Sequence, residues 1–325
     1  MIRRCRSLSA NHATALSAGL LAAVLWAPSA AAQATAAPPI RVDTARLMHD
    51  LRSLAHDSMQ GREAGTESAA RARVYLLRRF GEIGLQPAQG GYERSFAYAT
   101  SGGESGSGVN LVGLIPGSDP DARVIVVTAH YDHLGIRDGQ IYNGADDNAS
   151  GTAGLLAIAE HFRSNPPAND VVIVALDAEE TGLRGARAFV ADPPISLESI
   201  ALNINLDMVG RNAAGELWVA GTHHYPALLP IVEGVAERSA VTLRVGHDRP
   251  NLPPGDDWTS ASDHGVFHAE GIPFLYFGVE DHPDYHRPTD DASGIMPAFY
   301  AGAVATVIDT AEQLDERIAA GQPLK

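Results

Sequence analysis

The chain has 325 residues, and 45% of them are hydrophobic, which is enough to build the core of one large domain or of two modest ones. Its formal net charge of −15 argues against binding to nucleic acid, because contact with a phosphate backbone requires a basic surface. The only cysteine is Cys5, close to the N-terminus, so neither a disulfide framework nor thiolate chemistry is expected in the rest of the chain.

Residues 1–32 are predicted to be a secretory signal peptide. They combine an arginine-rich start, an apolar run over residues 16–26 and an Ala-x-Ala cleavage pattern over residues 28–32. An uncleaved membrane anchor is the alternative, but this apolar run is short and no other span of ~20 apolar residues follows. We therefore expect a secreted or periplasmic protein with no membrane anchor after cleavage. Its net charge would move to −18, because three arginines and no acidic residue are removed.

The first predicted elements after the signal are two helices. Residues 33–41, rich in alanine and proline, are predicted to be a linker. Helical spacing of apolar residues predicts helices over 44–54 and 67–83, with an ordered loop at 56–66 between them. Glycine and serine over 101–108 predict a flexible connection.

Beyond residue 108 the predicted strands and helices alternate. The strands are predicted at 109–114, 124–128, 171–176, 201–206, 217–220 and 274–277, and the helices at 151–162, 185–190, 227–236 and 296–314. Continuous apolar strands separated by helices are typical of a sheet that is buried on both faces. The sequence therefore predicts a single α/β domain over 42–325, with a central mixed, mostly parallel sheet covered by helices on both faces.

Acidic residues and histidines follow the predicted strands at the ends where such sheets place their sites. Five loops supply them: 129–132, 143–151, 177–180, 207–210 and 284–288. Any one of these residues could be a turn former, a helix cap or an ordinary surface histidine. Together, with few lysines or arginines nearby, they require a counter-charge, and a divalent cation or a pair of them would supply it.

The stretch VVIVALDAEETGLRG over 171–185 carries an apolar strand directly into two adjacent glutamates, Glu179 and Glu180. Neighbouring carboxylates repel each other and lose hydration when they are partly buried. Because adjacent side chains must point in different directions, one glutamate can bind a cation while the other faces an attacking water.

Six motifs resemble, in order and spacing, the co-catalytic zinc aminopeptidases of metallopeptidase family twenty-eight. They are HYD at 130–132, GADDNASG at 144–151, EETG at 179–182, NLDM at 205–208, SDH at 262–264 and YHRP at 285–288. The resemblance covers residues 109–310 and implies the zinc-dependent exopeptidase fold. Members of the family include secreted bacterial leucyl aminopeptidases, glutamate carboxypeptidase II and the glutaminyl cyclases.

The resemblance also implies a set of site residues. Asp146 would bridge two zinc ions. For the next residue, Asp147, we favour a loop or capping role over metal ligation. His130 and Asp207 would complete one metal site, and Glu180 and His286 would complete the other. Co²⁺ or Mn²⁺ are possible substitutes for Zn²⁺, since nitrogen and oxygen ligands accept them.

Two further residues are expected to act on the reaction or on its ligands. The resemblance implies that Glu179 is the general base. Asp132 would fix the tautomer of His130, and the spacing supports this, since residues two apart on an extended segment share a face. Asp263 and His264 are expected in the wall of the site, and an intermediate-binding tyrosine could only be guessed as Tyr276 or Tyr285.

The expected function is that of a secreted dizinc exopeptidase, most directly an aminopeptidase acting on peptides. A hydroxide held between the metals would attack the peptide carbonyl, because metal coordination lowers the pKa of water to ~7. Glu179 would take the proton and return it to the leaving amine.

Three alternatives remain open at the level of sequence. A carboxypeptidase or dipeptidase of the same fold would need basic groups for a terminal carboxylate, and the candidates are Arg184, Arg187, Arg211 and Arg287. A glutaminyl cyclase would use one metal ion. A non-catalytic binding module would keep the fold without the chemistry. The side-chain preference and the oligomeric state are not predicted.

Overall fold

The computed structural model describes residues 40–99, 102, 103, 105–253 and 255–325. The predicted signal peptide (1–32) and all but the last two residues of the predicted linker (33–41) lie outside the described residues, and both remain predictions. The described residues belong to one compact unit that runs to Lys325, while the start of the domain at residue 42 also stays a prediction. Among the described helices, none is both long and apolar enough to cross a membrane.

The described part of the chain contains helices and strands in an alternating order. The helices are α1 (Thr44–Leu54), α2 (Glu67–Ile83), α3 (Gly151–Ser164), α4 (Arg184–Ala191), α5 (Leu229–Ala236), α6 (His264–Ala269) and α7 (Pro297–Ala319). The strands are β1 (Gln86–Pro87), β2 (Glu93–Ala99), β3 (Ser105–Ile115), β4 (Val124–His130), β5 (Gly135–Arg137), β6 (Gln140–Tyr142), β7 (Asp170–Leu176), β8 (Ile200–Leu206), β9 (Glu216–Ala220), β10 (Thr242–Val245) and β11 (Phe274–Gly278). A short 3₁₀ helix over Asp57–Arg62 lies between α1 and α2.

One large sheet organises the described residues. Its strands lie in the order β1, β3, β7, β4, β8, β11, β9, β10, and β2 also pairs with β3. The central strands β7, β4, β8 and β11 run parallel, whereas β3 pairs antiparallel with β7 and β9 pairs antiparallel with β11. The separate strands β5 and β6 form a small hairpin. The prediction of a mixed, mostly parallel sheet is confirmed.

Helices cover both faces of this sheet, as predicted. On β4, Ile125 and Val127 point into the larger core, which is completed by side chains from α1, α2, α3, α5 and α7. Val124 and Val126 point to the opposite face, where a smaller core is closed by α4 and α6. Both faces are therefore dry, and this explains why the central strands are continuously apolar rather than alternating.

The ends of α1 and α2 fall where the sequence predicts them because capping residues fix both helices. Asp43 accepts a hydrogen bond from the backbone N–H of Arg46 at 3.0 Å, and Thr66 accepts one from that of Ser68 at 3.2 Å. Gly84 ends α2 in the left-handed region at φ 78°, a conformation that glycine adopts without strain.

The prediction of a flexible connection over 101–108 is wrong for its second half, since residues 105–108 belong to strand β3. There Phe96 and Tyr98 of β2 lie over Gly108 and Gly106, whose missing side chains leave room for the two rings. Cross-strand packing of this kind replaces the apolar alternation that usually identifies a strand. β2, β10 and α6 were not predicted for the same reason, because their sequences lack a clear periodic pattern.

A carboxylate of the last helix fixes the start of β7. Asp315 of α7 accepts hydrogen bonds from the backbone N–H groups of Ala168 and Asn169, both at 2.8 Å, and from Asn169 Nδ2 at 2.8 Å. Both backbone donors lie in the turn that precedes the strand. This side chain therefore joins the C-terminal helix to the centre of the sheet.

We expect Asp315→Ala to lower the free energy of unfolding by about 3 kcal/mol, because it leaves the buried N–H of Asn169 and the partly buried N–H of Ala168 without acceptors. Urea denaturation at a fixed zinc concentration measures the change. Glu316→Ala, at an exposed neighbouring position on the same helix, should change the stability by less than ~0.5 kcal/mol. Equal effects of the two substitutions would contradict this role for Asp315.

Candidate metal centre

The predicted polar loops converge at the carboxyl ends of the central strands. His130 is the last residue of β4, and it lies opposite Leu176, the last residue of the parallel strand β7. Asp207 directly follows β8 on the other side of β4. The parallel register of these strands thus brings their end loops to one edge of the sheet, where polar side chains from distant parts of the sequence meet.

A first group of possible ligands consists of His130, Asp147 and Asp207, all of them buried. His130 Nε2 lies 3.3 Å from Asp207 Oδ1 and 3.5 Å from Asp147 Oδ1. The prediction placed His130 and Asp207 together, and the structure brings them together.

A second group lies on the other side of Asp147 and contains His133 and Glu180. His133 Nδ1 lies 2.7 Å from Glu180 Oε1 and 3.7 Å from Asp147 Oδ2. His286 completes this group, because its Nε2 lies 3.0 Å from Asp147 Oδ2 and 3.4 Å from Glu180 Oε2. Glu180 and His286 were predicted to share a site, and they are neighbours here.

Asp147, and not Asp146, is the residue common to both groups. Its Oδ1 faces His130, while its Oδ2 faces His286 and His133. The carboxylate of Asp146 points elsewhere: it accepts a hydrogen bond from the backbone N–H of Gly210 at 2.7 Å and lies 3.1 Å from His282 Nε2. The geometry therefore corrects the assignment of the shared position from Asp146 to Asp147.

Asp290 holds the loop that presents Asp147. This buried carboxylate accepts hydrogen bonds from the backbone N–H of Asp146 at 3.0 Å and from that of Asp147 at 3.1 Å. With the backbone fixed, two adjacent side chains must leave it in different directions. The sequence shows two aspartates in tandem and contains no signal that distinguishes the one that faces the cluster.

Asp132 supports both His130 and the glutamate pair. Its Oδ1 lies 3.5 Å from His130 Nδ1, and its backbone carbonyl lies 3.2 Å from the same nitrogen. The carboxylate also accepts hydrogen bonds from the backbone N–H groups of Glu179 at 3.1 Å and Glu180 at 3.3 Å. Sequence spacing indicated the contact with His130, but it did not reveal the contact with residues 179 and 180.

The glutamates differ in electrostatic environment. Burial raises the pKa of Glu179 well above its usual value, and the nearby carboxylates of Asp263 and Asp207 add to that effect. Burial also acts to raise the pKa of Glu180, but the close contacts with His133 and His286 outweigh it and lower that pKa. Glu179 is thus the better proton acceptor and Glu180 the better anionic ligand.

Carboxylates of the same cluster also raise the pKa values of two histidines. Burial alone would lower the pKa of His130, but the charges of Asp207 and Glu179 outweigh it and raise the pKa. Hydrogen bonds to Asp147 and Glu180 raise the pKa of His286 to about 10. The acidic cluster therefore attracts positive charge strongly, and either protons on the histidines or bound cations can supply it.

The donor set fits zinc. Imidazole nitrogens and carboxylate oxygens are ordinary Zn²⁺ ligands, and Co²⁺ and Mn²⁺ accept the same atoms. Among the described residues, both ring nitrogens of His133 and Oε1 of Glu180 are buried without a partner of acceptable hydrogen-bond geometry. Buried polar atoms are normally paired, so these unpaired atoms beside Asp147 are consistent with ligation to a cation.

Other predicted neighbours surround the centre without joining either group. His264 Nε2 lies 2.7 Å from the carbonyl oxygen of Trp258 and is hydrogen-bonded to it, whereas Asp263 is buried and burial raises its pKa to about 7. Tyr285 stacks on His286 with ring centroids 4.0 Å apart, and the hydroxyl of Tyr276 lies near the backbone of Asp207.

Sequence reasoning missed His133 and Asp290 and gave Asp147 only a minor role. His133 directly follows the HYD motif, which contains the expected ligand His130 and its expected partner Asp132, so its position in the sequence was a usable signal. Asp290 follows the YHRP motif by two residues, but nothing in its spacing indicates that its carboxylate reaches a loop over a hundred residues earlier.

The model of peptidase family M28 matches residues 110–311. Aminopeptidase YwaD of Bacillus subtilis is 31% identical over 196 residues, which cover 57% of this chain and 40% of that protein. A probable zinc metalloprotease of Leptosphaeria maculans is 33% identical over 107 residues, or 32% of this chain and 25% of the relative. The matched part of the chain thus spans less than half the length of these curated relatives.

Solved structures show the same fold at low sequence identity. A zinc-dependent exopeptidase from Parabacteroides distasonis superposes with a TM-score of 0.68 at 17% identity, covering 85% of this chain and 99% of that one. The glutaminyl cyclase of Bacteroides thetaiotaomicron gives 0.67 at 17% identity, covering 84% and 98%. The family match over more than half of the chain confirms the resemblance carried by the six motifs, and the protein belongs to peptidase family M28.

Proposed function

We propose that the protein is a dizinc exopeptidase, most directly an aminopeptidase that removes N-terminal residues from peptides. The observation that carries the proposal is the position of Asp147, whose two carboxylate oxygens face two separate groups of ligands. A carboxylate shared in this way suits a pair of cations a few ångströms apart. The sequence similarity to a bacterial aminopeptidase supports the same reading.

Each metal position would be held by side chains of this chain. His130, Asp147 and Asp207 would hold one ion, and Asp147, Glu180 and His286 would hold the other, with His133 beside the second. When bound, Zn²⁺ ions would supply Lewis acidity that polarises a peptide carbonyl and lowers the pKa of water to ~7.

The remaining chemistry belongs to Glu179 and its surroundings. A carboxylate oxygen of Glu179 would take a proton from the attacking water and later deliver it to the leaving amine. Because burial raises the pKa of this group, it can hold that proton between the two steps. Asp132 would keep Glu179 in place through its backbone N–H and keep His130 oriented through Nδ1.

Three of the four arginines named for a carboxypeptidase contact other groups. Arg211 Nη1 lies 2.7 Å from Asp284 Oδ2, Arg184 Nε donates to the carbonyl of Thr181, and Arg187 Nε donates to that of Gly182. Groups committed to such contacts are poorly placed to bind a substrate carboxylate, so we favour the aminopeptidase over the carboxypeptidase. A glutaminyl cyclase would differ in its product and in its metal content.

We also propose that the chain is exported, to the periplasm or out of the cell. This proposal rests on residues 1–32, whose basic start, apolar run and alanine-rich end are typical of a secretory signal.

Purified protein is expected to hydrolyse aminoacyl p-nitroanilides with a free amino terminus. A chelator such as 1,10-phenanthroline should abolish the activity, and added Zn²⁺ should restore it, because the acidic cluster has no catalytic function without cations. N-acetylated substrates serve as the control and should not be cleaved. Full activity after exhaustive removal of metal would rule the proposal out.

Glu179→Gln is expected to reduce kcat by about 10²- to 10⁴-fold, because general-base catalysis contributes on that order. Zinc content should stay at the wild-type level, since Glu179 is not assigned as a ligand. Steady-state kinetics and elemental analysis of the same preparation separate the two effects. Wild-type turnover in this variant would assign the base to another residue.

The substitutions Asp147→Asn and Asp146→Asn test the corrected assignment directly, since the two positions are adjacent and the change is isosteric. Asp147→Asn should lose at least one zinc ion per chain and nearly all activity, because it removes the shared carboxylate. Asp146→Asn can still accept the hydrogen bond from Gly210 N and should keep both ions. Elemental analysis after dialysis decides, and the reverse pattern would restore Asp146 to the shared position.

A further inference from the structure

Arg62 is a fully buried arginine with no ion-pair partner among the described carboxylates. Its guanidinium donates hydrogen bonds to backbone carbonyls instead. Nε donates to Tyr131 O at 2.7 Å, Nη1 to Leu54 O at 2.8 Å and to Asn143 O at 2.6 Å, and Nη2 to Gly144 O at 2.9 Å. Each of the three guanidinium nitrogens thus has at least one acceptor, as a buried charge requires.

Three of the four carbonyl groups bound by Arg62 belong to loops that carry proposed metal ligands, and the fourth, Leu54 O, ends α1. Tyr131 lies between His130 and Asp132, so its carbonyl group belongs to the segment that carries the first proposed ligand. Asn143 and Gly144 begin the loop that presents Asp147. The backbone adds one more contact, since the N–H of His133 donates to Arg62 O at 3.4 Å. One side chain therefore joins two loops that are distant in sequence.

The charge of Arg62 also acts on the centre. Burial lowers the pKa of Arg62 to about 10, while the carboxylates of Asp147, Asp132, Asp290 and Glu180 act in the opposite sense. The group remains a cation at neutral pH. These carboxylates are close enough to affect the pKa of Arg62. Among the described residues, however, Arg62 forms no salt bridge with any of them.

The backbone around Arg62 is bent to bring this side chain into place. Gln60, Gly61 and Arg62 all adopt positive φ, at 47°, 69° and 53°. A side chain at Gly61 would overlap the carbonyl oxygens of Tyr142 and Gly135, so only glycine permits this close approach to the β5–β6 hairpin. Non-glycine residues with positive φ are strained, and such strain is concentrated at functional sites.

We propose that Arg62 is a positioning residue for the metal centre: its guanidinium sets the separation of the 131–133 and 143–147 loops and thereby the geometry of both ligand groups around Asp147. This inference rests on the metal sites of the proposed function and extends to the HDSMQGREAGT segment over 56–66, which no ligand role explains. Support of this kind typically changes metal affinity by about 10- to 100-fold.

Zinc affinity of Arg62→Lys and Arg62→Met, measured by competition with a chromophoric chelator, tests the proposal. Lysine keeps the positive charge but cannot reproduce the planar fork of donors. Both variants should therefore bind zinc about 10- to 100-fold more weakly than wild type and should change the visible absorption spectrum of the Co²⁺-substituted protein. The two readouts are independent of catalytic turnover.

Arg79→Met is the matched control. Arg79 is also a buried arginine, but it pairs with Asp50, Glu82 and Glu160 away from the centre. Its loss should lower Tm without changing the zinc affinity or the Co²⁺ spectrum. Each affinity is measured at a temperature where circular dichroism shows the variant to be folded, which separates loss of stability from loss of positioning.

Wild-type zinc affinity and Co²⁺ spectrum in folded Arg62→Lys would overturn the proposal, and so would tighter zinc binding in Arg62→Met, which would indicate simple charge repulsion. If neither variant folds, Gly61→Ala replaces them, since it displaces Arg62 while keeping its side chain, and it should weaken zinc binding in the same way. Wild-type affinity in that variant would equally refute the proposal. The proposed peptidase function is judged on the wild-type protein alone, so the two can fail separately.

Discussion

Mutual repulsion between buried carboxylates is the constraint on which the rest of this structure depends. Asp147, Glu180 and Asp207 meet at the carboxyl ends of the central strands, where little solvent screens their charges. Histidines face them from both sides and have raised pKa values for that reason. Such a cluster is stable only with positive charge close at hand, and its shape, two groups around one aspartate, suits two cations.

The sheet explains why these residues can meet at all. Parallel strands deliver their end loops to a common edge, and the dry cores on both faces hold those strands in a fixed register. Buried polar side chains then fix the loops themselves. Asp132 and Asp290 do so by accepting backbone N–H groups, and Arg62 does so by donating to carbonyls. The geometry of the centre thus depends on side chains that lie outside both groups of possible ligands.

Sequence reasoning recovered the elements whose signals are local. The boundaries of α1 and α2 agree with the structure because Asp43, Thr66 and Gly84 cap them, and the buried strands are recognisable as apolar runs. Strand β2 was not predicted, because its aromatic rings pack over glycines of β3. Strand propensity does not include such contacts between separate segments.

At the centre, the motifs located the right loops but could not orient every side chain. His130, Glu180, Asp207 and His286 meet as expected. The structure places Asp147 and not Asp146 between the two groups, and this depends on the direction of adjacent side chains in a loop whose backbone N–H groups Asp290 binds from a distant part of the chain. For the same reason no pattern in residues 56–66 revealed that Arg62 reaches the carbonyls of two other loops. Tertiary contacts of this kind cannot be predicted from the spacing of residues within one segment.

The most direct test of the account is a crystal structure of the zinc-loaded protein with anomalous diffraction recorded on both sides of the zinc absorption edge. Two anomalous peaks are expected, one on each side of the Asp147 carboxylate, the first within bonding distance of His130 and Asp207 and the second within bonding distance of Glu180 and His286. A single peak, or a pair of peaks flanking Asp146 instead, would contradict the account.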